Sequence, residues 1–224
     1  MRAIKFCQVA VFLWLLLVIL ALAIGTTALV VDRLPLGDFR GVTLVLAAVL
    51  LIYLYAFLVY RLFLLVLPLP EGEVVEHSRD ELVANVNSLF YLLLFNSLIC
   101  THFIPVPIQR LIYLALGARL GANTYSAGAL LDPPLTCIGS NTIIGHEAVI
   151  FAHVVEGARL ELLPVQIGDT VTIGAKAVVM AGVQIGDNAI VSTGAVVTKN
   201  TRIGAGEIWG GIPARKLKSA PDAA

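Results

Sequence analysis

The chain has 224 residues, 58% hydrophobic and only 13% charged, and its mean hydropathy is +0.91. An ordinary soluble domain carries roughly 25% charged residues, so this composition lacks the polar side chains to cover a water-soluble globule, and it excludes disorder. Lys and Arg number 15 against 15 Asp and Glu, a balance that excludes nucleic acid as a partner bound through bulk charge and leaves a membrane protein.

The apolar excess opens the chain. Val9 to Val31 runs 23 residues without a charge and Val42 to Tyr60 runs 19. At about 1.5 Å per helical residue each can cross a hydrocarbon core of about 30 Å. Between them Asp32–Gly41 holds Pro35, Gly37, two acids and two arginines, the composition of a tight connection. The pattern predicts a transmembrane helical hairpin over residues 1–70, in contact with membrane lipid. A cleaved signal peptide is the competing reading, because Arg2 and Lys5 precede the run and Ala21-Leu22-Ala23 imitates a cleavage site. The run is longer than a usual signal core and continues past that site. Charge alone gives no orientation, since Arg2 and Lys5 are matched by Arg33 and Arg40.

Residues 71–116 are expected as interfacial or linker helices. Leu82–Gln109 contains no Asp, Glu, Lys or Arg, but Asn85, Asn87, Asn96, Pro105 and Pro107 speak against one continuous spanning helix. Helices packed against the hairpin are the better expectation, with a third crossing as the alternative. Pro107–Leu116 reads as a short helix that Gly117 closes. His77 and His102 fall in this region without a role. Cys7, Cys100 and Cys137 are scattered, which fits neither a disulfide framework nor a metal site.

From Gly117 the composition shifts to glycine, isoleucine and valine, and a period of six sets in. Ile167, Ile173, Val179, Ile185, Val191, Val197, Ile203 and Trp209 stand six apart, and Leu120, Ile138, Ile144 and Ile150 keep the same rhythm earlier. Four residues after the first six come Val171, Ala177, Val183, Ala189, Ala195 and Thr201, all small or β-branched. A helix cannot use such a period, since positions six apart do not stack around its axis. A parallel β-solenoid can: each hexad supplies a short strand and a corner, and three hexads close one coil. The fold class is therefore α+β, with N-terminal helices and a C-terminal parallel β-helix.

The hexads Ile167-Gly-Asp-Thr-Val-Thr, Ile173-Gly-Ala-Lys-Ala-Val and Ile185-Gly-Asp-Asn-Ala-Ile resemble the hexapeptide-repeat acyltransferases. So do Val197-Thr-Lys-Asn and the closing Trp209-Gly-Gly-Ile-Pro-Ala-Arg-Lys-Leu, and the resemblance covers about residues 117–218. It implies a left-handed β-helix, a homotrimer, and acetyl-CoA or another acyl-CoA bound between neighbouring prisms as co-substrate, with no tightly bound cofactor. The helical hairpin resembles only membrane-attached relatives.

The repeat breaks once. From Ile150 to Ile167 is seventeen residues, one short of a coil, and Glu156–Pro164 does not read as hexads. A loop leaving the prism is expected there, and such breaks carry function. His153 stands immediately before it. Acyl transfer from a thioester needs a base that takes a proton from the attacking hydroxyl or amine and hands it to the leaving thiolate, which imidazole can do near neutrality. By position His153 matches the base of the resembled family. Glu156 is expected to orient its imidazole, and His146, after Ile144-Gly145, is the rival base. The resemblance also implies that the backbone N–H groups of Ala175 and Thr193 hold the pantetheine arm. It implies that Lys199, helped by Arg202, faces the coenzyme phosphates.

The expected activity is a membrane-anchored O- or N-acyltransferase, acetyl being the expected group. The acceptor would be membrane-associated, such as a glycolipid or lipid-linked sugar. Because the donor is cytosolic, the β-helix is expected on the cytoplasmic side of a multi-pass membrane protein. Two alternatives stand beside it. One is a non-catalytic trimeric scaffold. The other is a metal hydratase like the γ-type carbonic anhydrases, which needs three histidines on zinc, whereas the β-helical region offers His146 and His153.

Overall fold

The computed structural model describes residues 4–35, 37–101 and 103–219, so Arg2 and His102 lie outside the described residues. The two apolar runs form helices α1 (Phe6–Leu29) and α2 (Arg40–Val66), joined by two single 3-10 turns, Val31–Arg33 and Gly37–Phe39. Asp32 and Arg40 pair across this connection at 2.6 Å. Both helices are long and apolar enough to cross a membrane, and so by length and composition is the run Arg79–Cys100.

That third run is helical from Arg79 to Cys100 and ends there, with the next helix beginning at Val106, so, as expected, Leu82–Gln109 is not one continuous helix. The run consists of α3 (Arg79–Phe90), a π-helical turn (Tyr91–Phe95) and α4 (Asn96–Cys100). Ser78 starts it by accepting the Glu81 N–H at 3.1 Å, an N-cap that satisfies one of the free donors of the first turn. The asparagines sit inside it because they bond between helices. Asn87 accepts the Tyr60 hydroxyl of α2 at 2.7 Å, and Asn85 donates to Gln8 of α1 at 3.0 Å. Aromatic rings fill the seam: Phe90 meets Phe12 edge-on at 5.3 Å and Phe95 stacks on Phe57 at 5.1 Å. The run is therefore packed against the hairpin. A short α5 (Val106–Leu116) follows, closed by Gly117 at φ 106°. It underlies the first coil of the β-domain, where Arg110 donates to the Thr124 and Gly121 carbonyls at 2.9 Å and Tyr113 donates to the Gly128 carbonyl at 2.8 Å.

The second half is a three-faced parallel β-helix. Face one stacks Arg119–Leu120, Thr136–Ile138, Val165–Ile167, Gln184–Ile185 and Arg202–Ile203. Face two runs from Tyr125–Ser126 through Ile143–Ile144, Thr172–Ile173 and Ile190–Val191 to Glu207–Gly210, where the antiparallel Arg215–Ser219 closes the end. Face three stacks Ala129–Leu130, Val149–Ile150, Val178–Val179 and Val196–Val197. The period-six side chains fill the axis: Ile150, Val179 and Val197 are fully buried and Ile138, Ile167, Ile185 and Ile203 nearly so. Positive φ recurs every six residues, at Thr170, Lys176, Gly182, Asn188, Gly194, Asn200 and Gly206. Each of these residues turns a corner in the left-handed region, which Gly and Asn adopt most readily. The glycines just after the period residue serve another purpose. A Cβ on Gly145 or Gly174 would collide with the backbone of the next coil, at Ala175 and Thr193 respectively.

Regular coils pair at a step of 18 residues, as Ile167 with Ile185, but Ile138 pairs with Ile167, a step of 29. Eleven residues are thus inserted into one hexad, which corrects the reading of a coil one residue short. The insertion is a β-hairpin rather than a plain loop. His153–Glu156 pairs antiparallel with Arg159–Leu162 around Gly157-Ala158, and Gly72–Glu73 from the linker joins as a third strand. One coil earlier the same corner, between faces three and one, is also widened: the step from Leu130 to Ile138 is eight residues instead of six, and it includes the single turn Pro133–Leu135.

Candidate active site

The two irregular corners lie on top of each other, and they bring together Asp132 and His153. Asp132 immediately precedes the turn Pro133–Leu135 of the lower coil and His153 begins the hairpin of the upper one. One carboxylate oxygen, Asp132 Oδ2, accepts the backbone N–H of Ala152 at 2.7 Å, that of His153 at 3.2 Å, and lies 2.7 Å from His153 Nδ1. An ionised carboxylate can only accept, so Nδ1 carries the proton and Nε2 keeps its lone pair. The Asp132 side chain is 9% exposed, whereas the His153 side chain is 42% exposed, an oriented imidazole with access from outside. The hydrogen bond that His153 donates to Asp132 raises the His153 pKa above its ordinary value. Burial opposes this and the Asp132 charge adds to it.

The orienting carboxylate is thus Asp132 and not Glu156. Glu156 sits at the exposed tip of the hairpin, 3.8 Å from Lys199 Nζ. Lys199 in turn binds Glu161 at 2.6 Å, and Glu161 also pairs with Arg159 at 2.6 Å. The hydrogen bond from Lys199 holds the Glu161 carboxyl below its usual range, against the effect of burial, with the Arg159 and Lys199 charges assisting. Lys199 therefore clamps the hairpin to the last full coil instead of presenting a free ammonium. Arg202 lies elsewhere, in a shallow groove on face one with Cys137, Gln166 and Gln184.

Ala175 and Thr193 stack at the corner between faces two and three, one coil apart, and neither amide N–H has an acceptor among the described residues. His146 shares that corner. Its backbone carbonyl accepts the Lys176 N–H at 2.9 Å and its exposed ring lies 3.6 Å from Glu147. Strand Val149–Ile150 separates this corner from His153, so within one chain the paired amides and the oriented imidazole stand at opposite ends of face three. Among the described residues no three His, Cys, Asp or Glu side chains group as metal ligands.

His153 and Asp132 border a cavity of about 360 Å³. Its other walls are the hairpin, with Val155 and Leu160, and the α3 side of the helical bundle, with Asn85, Ser88 and Leu92. Neither Asp132 nor this helical wall was among the residues singled out in the sequence. The signal for Asp132 was present in the eight-residue step from Leu130 to Ile138, but nothing in the sequence says which residue lies above it.

Residues 164–199 match the family model described as the hexapeptide repeat of succinyl-transferase, so the chain carries hexapeptide repeats. Among solved structures it is similar to a hexapeptide-repeat-containing acetyltransferase from Vibrio cholerae, at 26% identity over 48% of this chain and 65% of that one, TM-score 0.45. It is also similar to a maltose O-acetyltransferase from Clostridium difficile, at 26% identity over 48% and 62%, TM-score 0.42. A galactoside acetyltransferase in complex with coenzyme A aligns at 20% identity over 61% and 82%, TM-score 0.46. The chain spans just under two thirds of the length of the first two structures. A comparison with curated proteins finds no match.

Proposed function

We propose that this chain is an acyl-CoA-dependent acyltransferase, with acetyl the expected group, acting on a membrane-associated acceptor and using His153 as general base. The observation that carries the reading is the His153–Asp132 pair, set beside a cavity at the one corner where a hexapeptide-repeat β-helix opens. An acceptor O–H or N–H loses its proton to Nε2 while the heteroatom attacks the thioester carbonyl. As the C–S bond breaks, the leaving thiolate takes that proton from the imidazolium, which the buried Asp132 carboxylate stabilises in the interval. The unpaired amides of Ala175 and Thr193 suit the carbonyls of a pantetheine arm.

Because those amides and His153 lie at opposite ends of face three, the donor held by one copy would meet the base of the next. This supports a homotrimer of left-handed prisms. The same reading makes α1 and α2 the two membrane crossings and puts the β-helix on the cytoplasmic side with its donor. The Arg79–Cys100 run is not counted as a third crossing. Gly72–Glu73 ties the chain to the hairpin just before it, and α5, which begins six residues beyond Cys100, is bonded to the first coil. An eleven-residue return of about 16 Å would not recross the bilayer.

His153→Ala should abolish acceptor-dependent thiol release from acetyl-CoA, while His146→Ala leaves it within a few-fold. Unchanged turnover in His153→Ala rejects the assignment. A chain that binds no acetyl-CoA by calorimetry favours the scaffold instead.

A further inference from the structure

The cavity beside His153 has walls of two kinds. The hairpin contributes Val155, 53% exposed, and the helical run contributes Leu92, 60% exposed. Polar side chains are fewer, Asn85 and Ser88 among them. None of the residues 171–199 that include the paired amides lines it, so it opens away from the donor corner. At about 360 Å³ it is at the low end of ligand pockets, which run roughly from 300 to 1,000 Å³. It can hold one part of a larger amphiphile whose remainder stays in lipid.

Its charges narrow the class. Among the described residues that line it, the charged or titratable side chains are Asp132, His153, Arg159 and the Tyr91 phenol, and Arg159 is already held by Glu161 at 2.6 Å and Glu73 at 3.2 Å. A phosphate entering would meet the Asp132 carboxylate, and the cation left for it is the His153 imidazolium, whose protonation removes the base. An amine beside that carboxylate would keep its proton and its lone pair with it, and so would not attack.

We propose that this cavity is the acceptor site and that it takes an uncharged amphiphile, with a hydroxyl beside His153 and an alkyl portion against Leu92, Val155 and Leu160. The chemistry at that hydroxyl rests on the acyltransferase reading. The O–H proton passes to Nε2, the oxygen–acyl bond forms, the C–S bond breaks, and the thiolate leaves as thiol. The binding of the alkyl portion does not depend on that reading.

The test uses the full chain in lipid nanodiscs with octyl glucoside carrying a photoreactive diazirine on its chain. Adducts are expected within 84–92 and 153–162, displaced by octyl glucoside and not by octyl phosphate. Ser88→Trp and Val155→Trp, both at exposed positions on opposite walls, should each lower labelling at least tenfold with melting temperature unchanged. In turnover, octyl glucoside should exceed glucose at least tenfold in kcat/KM, and both variants should raise KM for octyl glucoside and not for acetyl-CoA. Adducts only elsewhere, equal displacement by octyl phosphate, or displacement by octanoyl-CoA in place of octyl glucoside would overturn the proposal. Labelling as expected without any thiol release rejects the acyltransferase and keeps the site. Equal turnover of glucose and octyl glucoside, with no labelling, does the reverse.

Discussion

A single oxygen of Asp132 accepts two backbone amides and the imidazole of His153, so it shapes the corner and orients the base together. Asp132→Asn keeps the shape and removes the charge. Loss of the orienting carboxylate should lower transfer by about 10²–10⁴-fold. The pH profile should move as well. Only the neutral imidazole accepts a proton, so kcat/KM rises with pH through the raised His153 pKa, and without Asp132 that rise should fall at lower pH. Stability carries the opposite sign. A raised histidine pKa means the pair stabilises fully below the ordinary histidine value and loses this as pH rises through the folded one. The gap in melting temperature between wild type and variant should therefore narrow as the pH rises from the ordinary histidine range through the raised His153 value. A gap that widens, or a profile that stays in place, rules out the charge pair. Residue periodicity located His153 through the broken hexad, but it could not pair it with a residue 21 positions earlier. Both lie where the period fails, and only the stacking of two irregular coils brings them into contact.

At the scale of elements, most of the β-helix was legible, because each hexad repeats one physical demand: a bulky side chain on the axis, a small one beside it, and a corner. The hairpin was legible only as an interruption. Neither of its paired strands alternates in burial, and it turns at Gly157, which takes φ 61° in a two-residue turn. Its third strand, Gly72–Glu73, is too short to leave a pattern. The role of Lys199 changes accordingly. Its ammonium is spent on Glu161, so Lys199→Met should leave KM for acetyl-CoA within about twofold. It should lower kcat several-fold and speed proteolytic cleavage at Gly157-Ala158, because Glu161 loses the cation that ties the hairpin to the last coil. A rise of tenfold or more in KM for acetyl-CoA, with hairpin protection intact, would restore the phosphate role to this lysine.

At the scale of the whole molecule, the proposed reading joins two solvents. The long apolar runs were legible as membrane candidates because bilayer thickness sets a length that composition can meet. The seat of the β-domain on the helices was not, because single side-chain contacts that follow no periodic pattern make it: Arg110 and Tyr113 under the first coil, and Arg159 paired with Glu73. If α1 and α2 cross the bilayer, their connection around Asp38 and the outer faces of the β-helix must lie on opposite sides. Replacing Cys7, Cys100 and Cys137 by serine and introducing Asp38→Cys or Gln184→Cys in turn allows this to be read with a membrane-impermeant maleimide. In right-side-out vesicles only Asp38→Cys should label. In inverted vesicles only Gln184→Cys should label, because acyl-CoA is available to a β-helix on that face alone. Labelling of both from one side would mean that the hairpin lies along the surface or that α1 and α2 do not span. The cavity beside His153 would then have to draw its acceptor from water, against the apolar character of its walls.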